Sequence, residues 1–103
     1  AAYLANWHDA HPMPPATAKD IADHIDHIRA VAGIDHIGIG GDYDGITFTP
    51  ADLGDVSTYP VLFAELARRG YSAADLAKIA RGNILRVMRG VESTAAQIAK
   101  NKK

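Results

Sequence analysis

Apolar residues recur along the first half of the chain with two different periods, and the change between them separates two expected elements. Ile21, Ile25, Ile28 and Ala32 fall at i, i+4, i+7 and i+11. On a helical turn of 3.6 residues that spacing is one stripe, and it predicts an amphipathic helix. Thr17 can cap the first turn, Asp20 suits the positive end of the dipole, and Gly33 can take the left-handed stop. From Ile34 to Asp42 the period falls to two. Ile37 and Ile39 project to one side, and His36, Gly38, Gly40 and Asp42 to the other. A short buried strand is expected, with Asp42 at the carboxyl end of a face that lines a crowded interior or a cleft.

Residues 43–59, with Gly45, Pro50 and Gly54, read as a loop long enough to be functional or covered by a partner. Pro60 suits the first turn of a helix whose inner stripe is Leu62, Phe63, Leu66 and Ala67 and whose stop is Gly70. Ser72 and Asp75 form a capping pair for the next helix, with Leu76, Ile79 and Ala80 inside. Gly82-Asn83 is expected to break that run. Ile84, Leu85, Val87 and Met88 then begin a last helix, and residues 93–103 read as a frayed or disordered tail. Residues 1–16, with the breaker run Pro12-Met13-Pro14-Pro15, read as an irregular lead segment. The fold class expected is α/β, mostly helical around one core strand. A single strand makes no sheet, so its partners should come from outside the chain or from another copy of it.

Charge adds little to this picture. Eleven Lys and Arg against twelve Asp and Glu give a net charge of −1, so no basic excess points to nucleic acid. The absence of cysteine excludes disulfides, thiolate catalysis and cysteine zinc sites within these residues. No apolar run reaches the roughly 18 residues of a membrane span, and no secretory signal pattern opens the chain. The first residue is Ala rather than Met, which suggests a processed or excised piece.

Candidate chemistry centres on Gly38-Ile39-Gly40-Gly41-Asp42-Tyr43-Asp44-Gly45. No Lys-Ser or Lys-Thr follows, as a phosphate loop would need, and Pro50 and Gly54 stand where its helix should begin. A calcium loop counted from Asp42 would need Glu at its twelfth position, which is Leu53. Asp42 survives as a carboxylate at a strand end, able to exchange a proton or hold an ammonium group. The alternative is that Asp42 or Asp44 only ties down the following loop through backbone hydrogen bonds. In Asp23-His24-Ile25-Asp26-His27 the helical spacing favours surface histidines with i, i+4 acidic partners over metal ligands. His8 and His11 lack a clear third ligand. Arg68, Arg69 and the terminal lysines read as solvated helix ends.

Four segments in order carry a family resemblance: Asp23-His24-Ile25-Asp26-His27-Ile28, then Gly38 to Gly45, then Asp55-Val56-Ser57-Thr58-Tyr59-Pro60, then Gly82-Asn83-Ile84-Leu85-Arg86-Val87. Together they resemble the membrane dipeptidase (renal dipeptidase) family of zinc peptidases over residues 20–88. The resemblance implies the carboxyl-terminal part of a (β/α)8 barrel, with the expected strand as the eighth. A whole barrel takes about 250 residues, far more than these 103. It further implies hydrolysis of dipeptides with two zinc ions, and a role for Asp42 in proton transfer or in contact with the substrate's amino end. Asp44 is the weaker substrate-binding assignment. The family's His-x-Asp, bridging Glu and paired His lie upstream of the matched region, so no metal ligand is assigned within these residues and the chain alone is expected to be inactive. Its partners are then a dipeptide substrate and the remainder of the barrel or another copy of the chain. The rival reading is a non-catalytic helical module that self-associates through the Ile21/Ile25/Ile28 and Leu62/Phe63/Leu66 faces.

Overall fold

A computed structural model describes residues 6, 7 and 9–102. His8 and Lys103 lie outside the described residues. Helix α1 spans Ala18–Ala32, and its start is fixed locally: the Asp20 carboxylate accepts the Thr17 N–H at 2.9 Å. A second acid arrives from the distant loop, where Asp52 Oδ1 accepts the Ala18 N–H at 2.7 Å. Gly33 ends the helix at φ 94°, a conformation that only glycine adopts without strain. Helix α2 spans Tyr59–Arg68 with Pro60 in its first turn, and Gly70 follows at φ 93°. Helix α3, Ala73–Ala77, carries the reciprocal cap foreseen at its start, with Asp75 N–H on Ser72 Oγ at 3.0 Å and Ser72 N–H on Asp75 Oδ2 at 3.3 Å.

Two expectations are corrected here. Gly82-Asn83 does not break the helix. A π-turn over Lys78–Gly82 absorbs the irregularity and runs straight into α4, Asn83–Asn101, since a π-turn inserts a residue without unwinding the backbone. The helix therefore passes through the stretch expected to fray. The strand is also absent among the described residues. Ile34–His36 forms a 3-10 turn, Ile37 continues in extended backbone, and residues 37–42 carry no ladder. A strand is defined by its neighbour, and none is present for these residues to pair with. The described residues are accordingly mostly helical, as expected, without the one core strand. The period-two alternation nevertheless holds: Ile37 is buried and Ile39 half-buried, while His36, Gly38, Gly40 and Asp42 are exposed.

The core forms where α1 crosses α2. Ala18, Ala22 and Ile25 meet Leu62 and Leu66, and Ile37, Leu53, Tyr71 and Ile79 close the sides. An electrostatic cluster locks the same pair of helices. Arg69, expected as a solvated helix end, instead reaches back to Asp23 at 2.8 Å, Asp26 at 2.6 Å and the Lys19 carbonyl at 3.2 Å. It also meets buried Glu65 at 3.2 Å, whose other oxygen pairs with Arg68 at 2.6 Å. Tyr71 Oη donates to Asp26 at 2.6 Å, and the Arg29 guanidinium lies 4.5 Å from the centre of the Tyr71 ring.

The cluster has a pH signature. Hydrogen bonds from Tyr71 and then Arg69 hold the Asp26 carboxyl below the usual range. An acid with a lowered folded pKa contributes stability above its unfolded value, near 4, and loses it as pH falls through the lower folded value. Burial, followed by the Asp26 hydrogen bond, raises the Tyr71 hydroxyl. Its contribution is full below the ordinary tyrosine value of about 10 and is lost as pH rises through the higher folded one. Urea midpoints should thus be flat through neutrality and fall at both extremes. Arg69→Met, which keeps the packed stem, should lower the neutral midpoint and weaken the acid-side dependence. An acid limb unchanged in that variant would separate Asp26 from the effect.

The chain is not fully wrapped around its core. Its radius of gyration is 18.7 Å, against about 13 Å for a compact chain of this length. Its accessible surface is 7667 Å², where a compact monomer of 11.0 kDa would show about 5,600 Å². On α4, Ile84, Val87, Val91 and Ile98 form an exposed apolar stripe.

Candidate functional site

The irregular segment 37–42 is held at both ends. At its start, buried Asn83 donates from Nδ2 to the carbonyls of Ile34 at 2.8 Å and Ile37 at 2.9 Å. Arg86 fixes that amide by donating to Asn83 Oδ1 at 3.0 Å and also reaches the Asp35 carbonyl at 2.7 Å. Lys78 Nζ pairs with the Asp35 carboxylate at 2.9 Å, and this hydrogen bond keeps that carboxyl below its ordinary range. One face of the π-turn and α4 therefore grips the 3-10 turn from which the segment departs.

At the far end the backbone lies on two aromatic rings. Tyr43 and Tyr59 pack edge to face with centroids 6.1 Å apart, and Tyr43 Oη donates to the Leu53 carbonyl at 3.0 Å. A methyl group on Gly41 would come within 2.5 Å of Tyr59 Oη and 2.7 Å of the Tyr43 ring, so the close approach requires glycine. Ile39, Tyr43, Leu53 and Tyr59 line a cavity of about 140 Å³ beneath this ledge. The following loop is tied down by other groups. Ala51 N–H meets the Ala16 carbonyl at 2.9 Å, and Asp52 caps α1. Asp55 accepts the Ser57 N–H at 2.8 Å and the Ser57 hydroxyl, and those two bonds depress its carboxyl pKa.

Asp42 stands where the segment turns. Its φ is 49°, and it is the one non-glycine residue with positive φ among the described residues. Its carbonyl accepts the Gly45 N–H at 2.9 Å, closing a turn over residues 42–45. Aspartate tolerates this left-handed conformation better than most residues, though at a cost of roughly 1–2 kcal/mol relative to glycine. Asp42 is exposed, on the side away from Ile37 and Ile39, and its carboxylate makes no hydrogen bond to the described residues. Asp44 is likewise exposed in the same turn. Asp52, Asp55 and Tyr43 hold the rest of the loop through side-chain bonds, and Asp42 holds the turn through its backbone carbonyl.

The histidines do not join it. His24 and His27 are exposed on α1. The neighbouring Asp23 turns to Arg69 rather than forming the i, i+4 pair with His27 that the sequence suggests. His11 Nδ1 lies 2.9 Å from the Trp7 carbonyl, and the two rings stack 4.4 Å apart. Among the described residues no three His, Asp or Glu side chains gather as a metal site would require. Sequence reasoning missed Asn83, Arg86, Arg69 and the Tyr43/Tyr59 ledge. The Gly82-Asn83 motif was a visible signal for Asn83, though it disclosed no partner.

Sequence comparison places the chain among peptidases. Residues 3–102 match the model of the membrane dipeptidase family, peptidase family M19, and the chain belongs to that family. It is 56% identical over 77 residues to Dipeptidase 3 of Rattus norvegicus, and equally so to that of Homo sapiens, covering 75% of this chain and 16% of each relative. It is 49% identical over 99 residues to an uncharacterized dipeptidase of Schizosaccharomyces pombe, covering 92% of this chain and 24% of that protein. The chain thus spans less than a quarter of the length of these curated relatives. Among the described residues no helix is long and apolar enough to cross a membrane.

Proposed function

We propose that this chain forms the carboxyl-terminal part of a (β/α)8 barrel and contributes Asp42 to the active site of a zinc-dependent dipeptidase. The observation that carries the reading is Asp42 itself, held at φ 49° and exposed at the end of a segment whose other face enters the core. Three further features support it. Residues 38–41 make no backbone hydrogen bond to the described residues, so both edges are open to strands of a sheet. The exposed stripe on α4 offers a surface for the same polypeptide to cover. The faces required for self-association are largely spent within the chain, since Ile25, Leu62 and Leu66 bury one another.

In a dipeptide, water adds to the carbonyl carbon, the C–N bond breaks, and the departing nitrogen takes up a proton. A carboxylate beside the substrate's amino end can carry the proton from the water to that nitrogen or hold the ammonium group in register. Asp42 is assigned this part, with Asp44 as the weaker candidate for substrate contact. The described residues do not themselves fit a zinc site. The two zinc ions implied for the complete enzyme are proposed to be held by other polypeptide, and the chain's own contribution is the carboxylate.

The test uses the complete protein. Asp42→Ala should retain its bound metal and lose most of its dipeptide turnover, and the 103-residue chain alone should show no metal-dependent hydrolysis above buffer. Unaltered turnover in the variant would remove Asp42 from the mechanism. Hydrolysis by the isolated chain would overturn the assignment of the metal donors to other polypeptide.

A further inference from the structure

The Asp42 carboxylate folds back over the turn that it opens, into space that exists only because residue 45 has no side chain. A methyl group on Gly45 would stand 2.6 Å from Asp42 Oδ1, 3.0 Å from Oδ2 and 3.1 Å from Cγ. Such separations are well inside van der Waals contact, so a side chain at position 45 must displace the carboxylate. Glycine is not needed there for its backbone. Gly33 and Gly70 are the glycines with positive φ, and Gly45 is not among them. An alanine can therefore adopt the native backbone at position 45 without strain. Gly54 in the same loop offers a contrast, since the nearest atom to a methyl group there is Thr49 Oγ1 at 4.0 Å.

We propose that Gly45 is a positioning residue for the Asp42 carboxylate: the missing Cβ leaves open the place above the turn where the acid rests, the place from which it meets the substrate. This rests on the reading of Asp42 as the acid of the dipeptidase site. The backbone tolerates alanine, and the group that must yield is the end of an exposed side chain. Gly45→Ala should therefore leave folding intact and act on the carboxylate alone.

The experiment is a double-mutant cycle in the complete protein, read as kcat/KM for dipeptide hydrolysis and as melting temperature. Gly45→Ala should lower kcat/KM by up to about 10²-fold, the loss that follows from misplacing a reacting group by an ångström. Its melting temperature should match the native protein, and Gly54→Ala should keep native kinetics. In an Asp42→Asn background, Gly45→Ala should cause no further loss, because the charge that it displaces is already gone. Native kinetics for Gly45→Ala beside an impaired Asp42→Asn would overturn the positioning role and leave the Asp42 assignment standing. A loss that persists in full in the Asp42→Asn background would overturn it too, by showing that residue 45 acts through another group. Native kinetics for Asp42→Asn would bring down the reading of the site, and the inference with it.

Discussion

Asparagine at position 42 should lower kcat/KM of the complete protein by about 10²–10⁴-fold, the range for loss of a positioned proton-transfer group, while leaving its melting temperature unchanged. The two outcomes separate because the native carboxylate has no structural bond to lose. Asparagine has nearly the same size and is equally at ease in the left-handed conformation that Asp42 holds at φ 49°. The turn closed by the Gly45 N–H on the Asp42 carbonyl uses only backbone and should persist. Asp42→Gly sharpens the contrast. It relieves the positive-φ cost, so the protein should become more stable by roughly 1 kcal/mol, as Gly at such positions does, and yet be as inactive as the asparagine variant. Stability gained where activity is lost is the expected mark of strain kept for function. Full turnover in the asparagine variant would mean that Asp42 serves only the turn.

What could be read from the sequence, and what could not, divides by the range of the interactions. Capping is local, and the Thr17/Asp20 and Ser72/Asp75 pairs appear as spaced. The positive-φ stops at Gly33 and Gly70 are equally local. The alternation around Ile37 and Ile39 appears as buried and half-buried against exposed neighbours, because side-chain direction along extended backbone needs no partner. Strand identity does need one, so the same segment that reads as β in the sequence is unpaired in the structure. Arg69 was misjudged because its partners Asp23 and Asp26 are 46 and 43 residues away, a distance at which helix-dipole reasoning is silent. The Gly82-Asn83 pair misled for a related reason. Both residues are poor helix formers, but the π-turn and the burial of Asn83 on distant carbonyls outweigh propensity.

That burial makes Asn83 the position where a small change should cost the fold most. Asn83→Ala should destabilise it by about 2–4 kcal/mol, because the Ile34 and Ile37 carbonyls lose their donors and a buried acceptor left unpaired costs about 1–3 kcal/mol. The Ile37 carbonyl has no other hydrogen bond to the described residues, and no other side chain among them donates to the Ile34 carbonyl. The bond to Ile37 is fully buried, so water cannot readily replace it. Arg86 would also lose its anchor at Asn83 Oδ1 and keep only the Asp35 carbonyl. Asn83→Asp discriminates mechanism from mere volume. It preserves size and could still accept from Arg86, but it sets a carboxylate against two carbonyl oxygens and should be at least as damaging as alanine. Denaturant midpoints of the complete protein would measure both, with the slope of the transition unchanged if only stability is affected. An aspartate variant as stable as the native protein would show that Asn83 fills space and does not clasp the segment that carries Asp42.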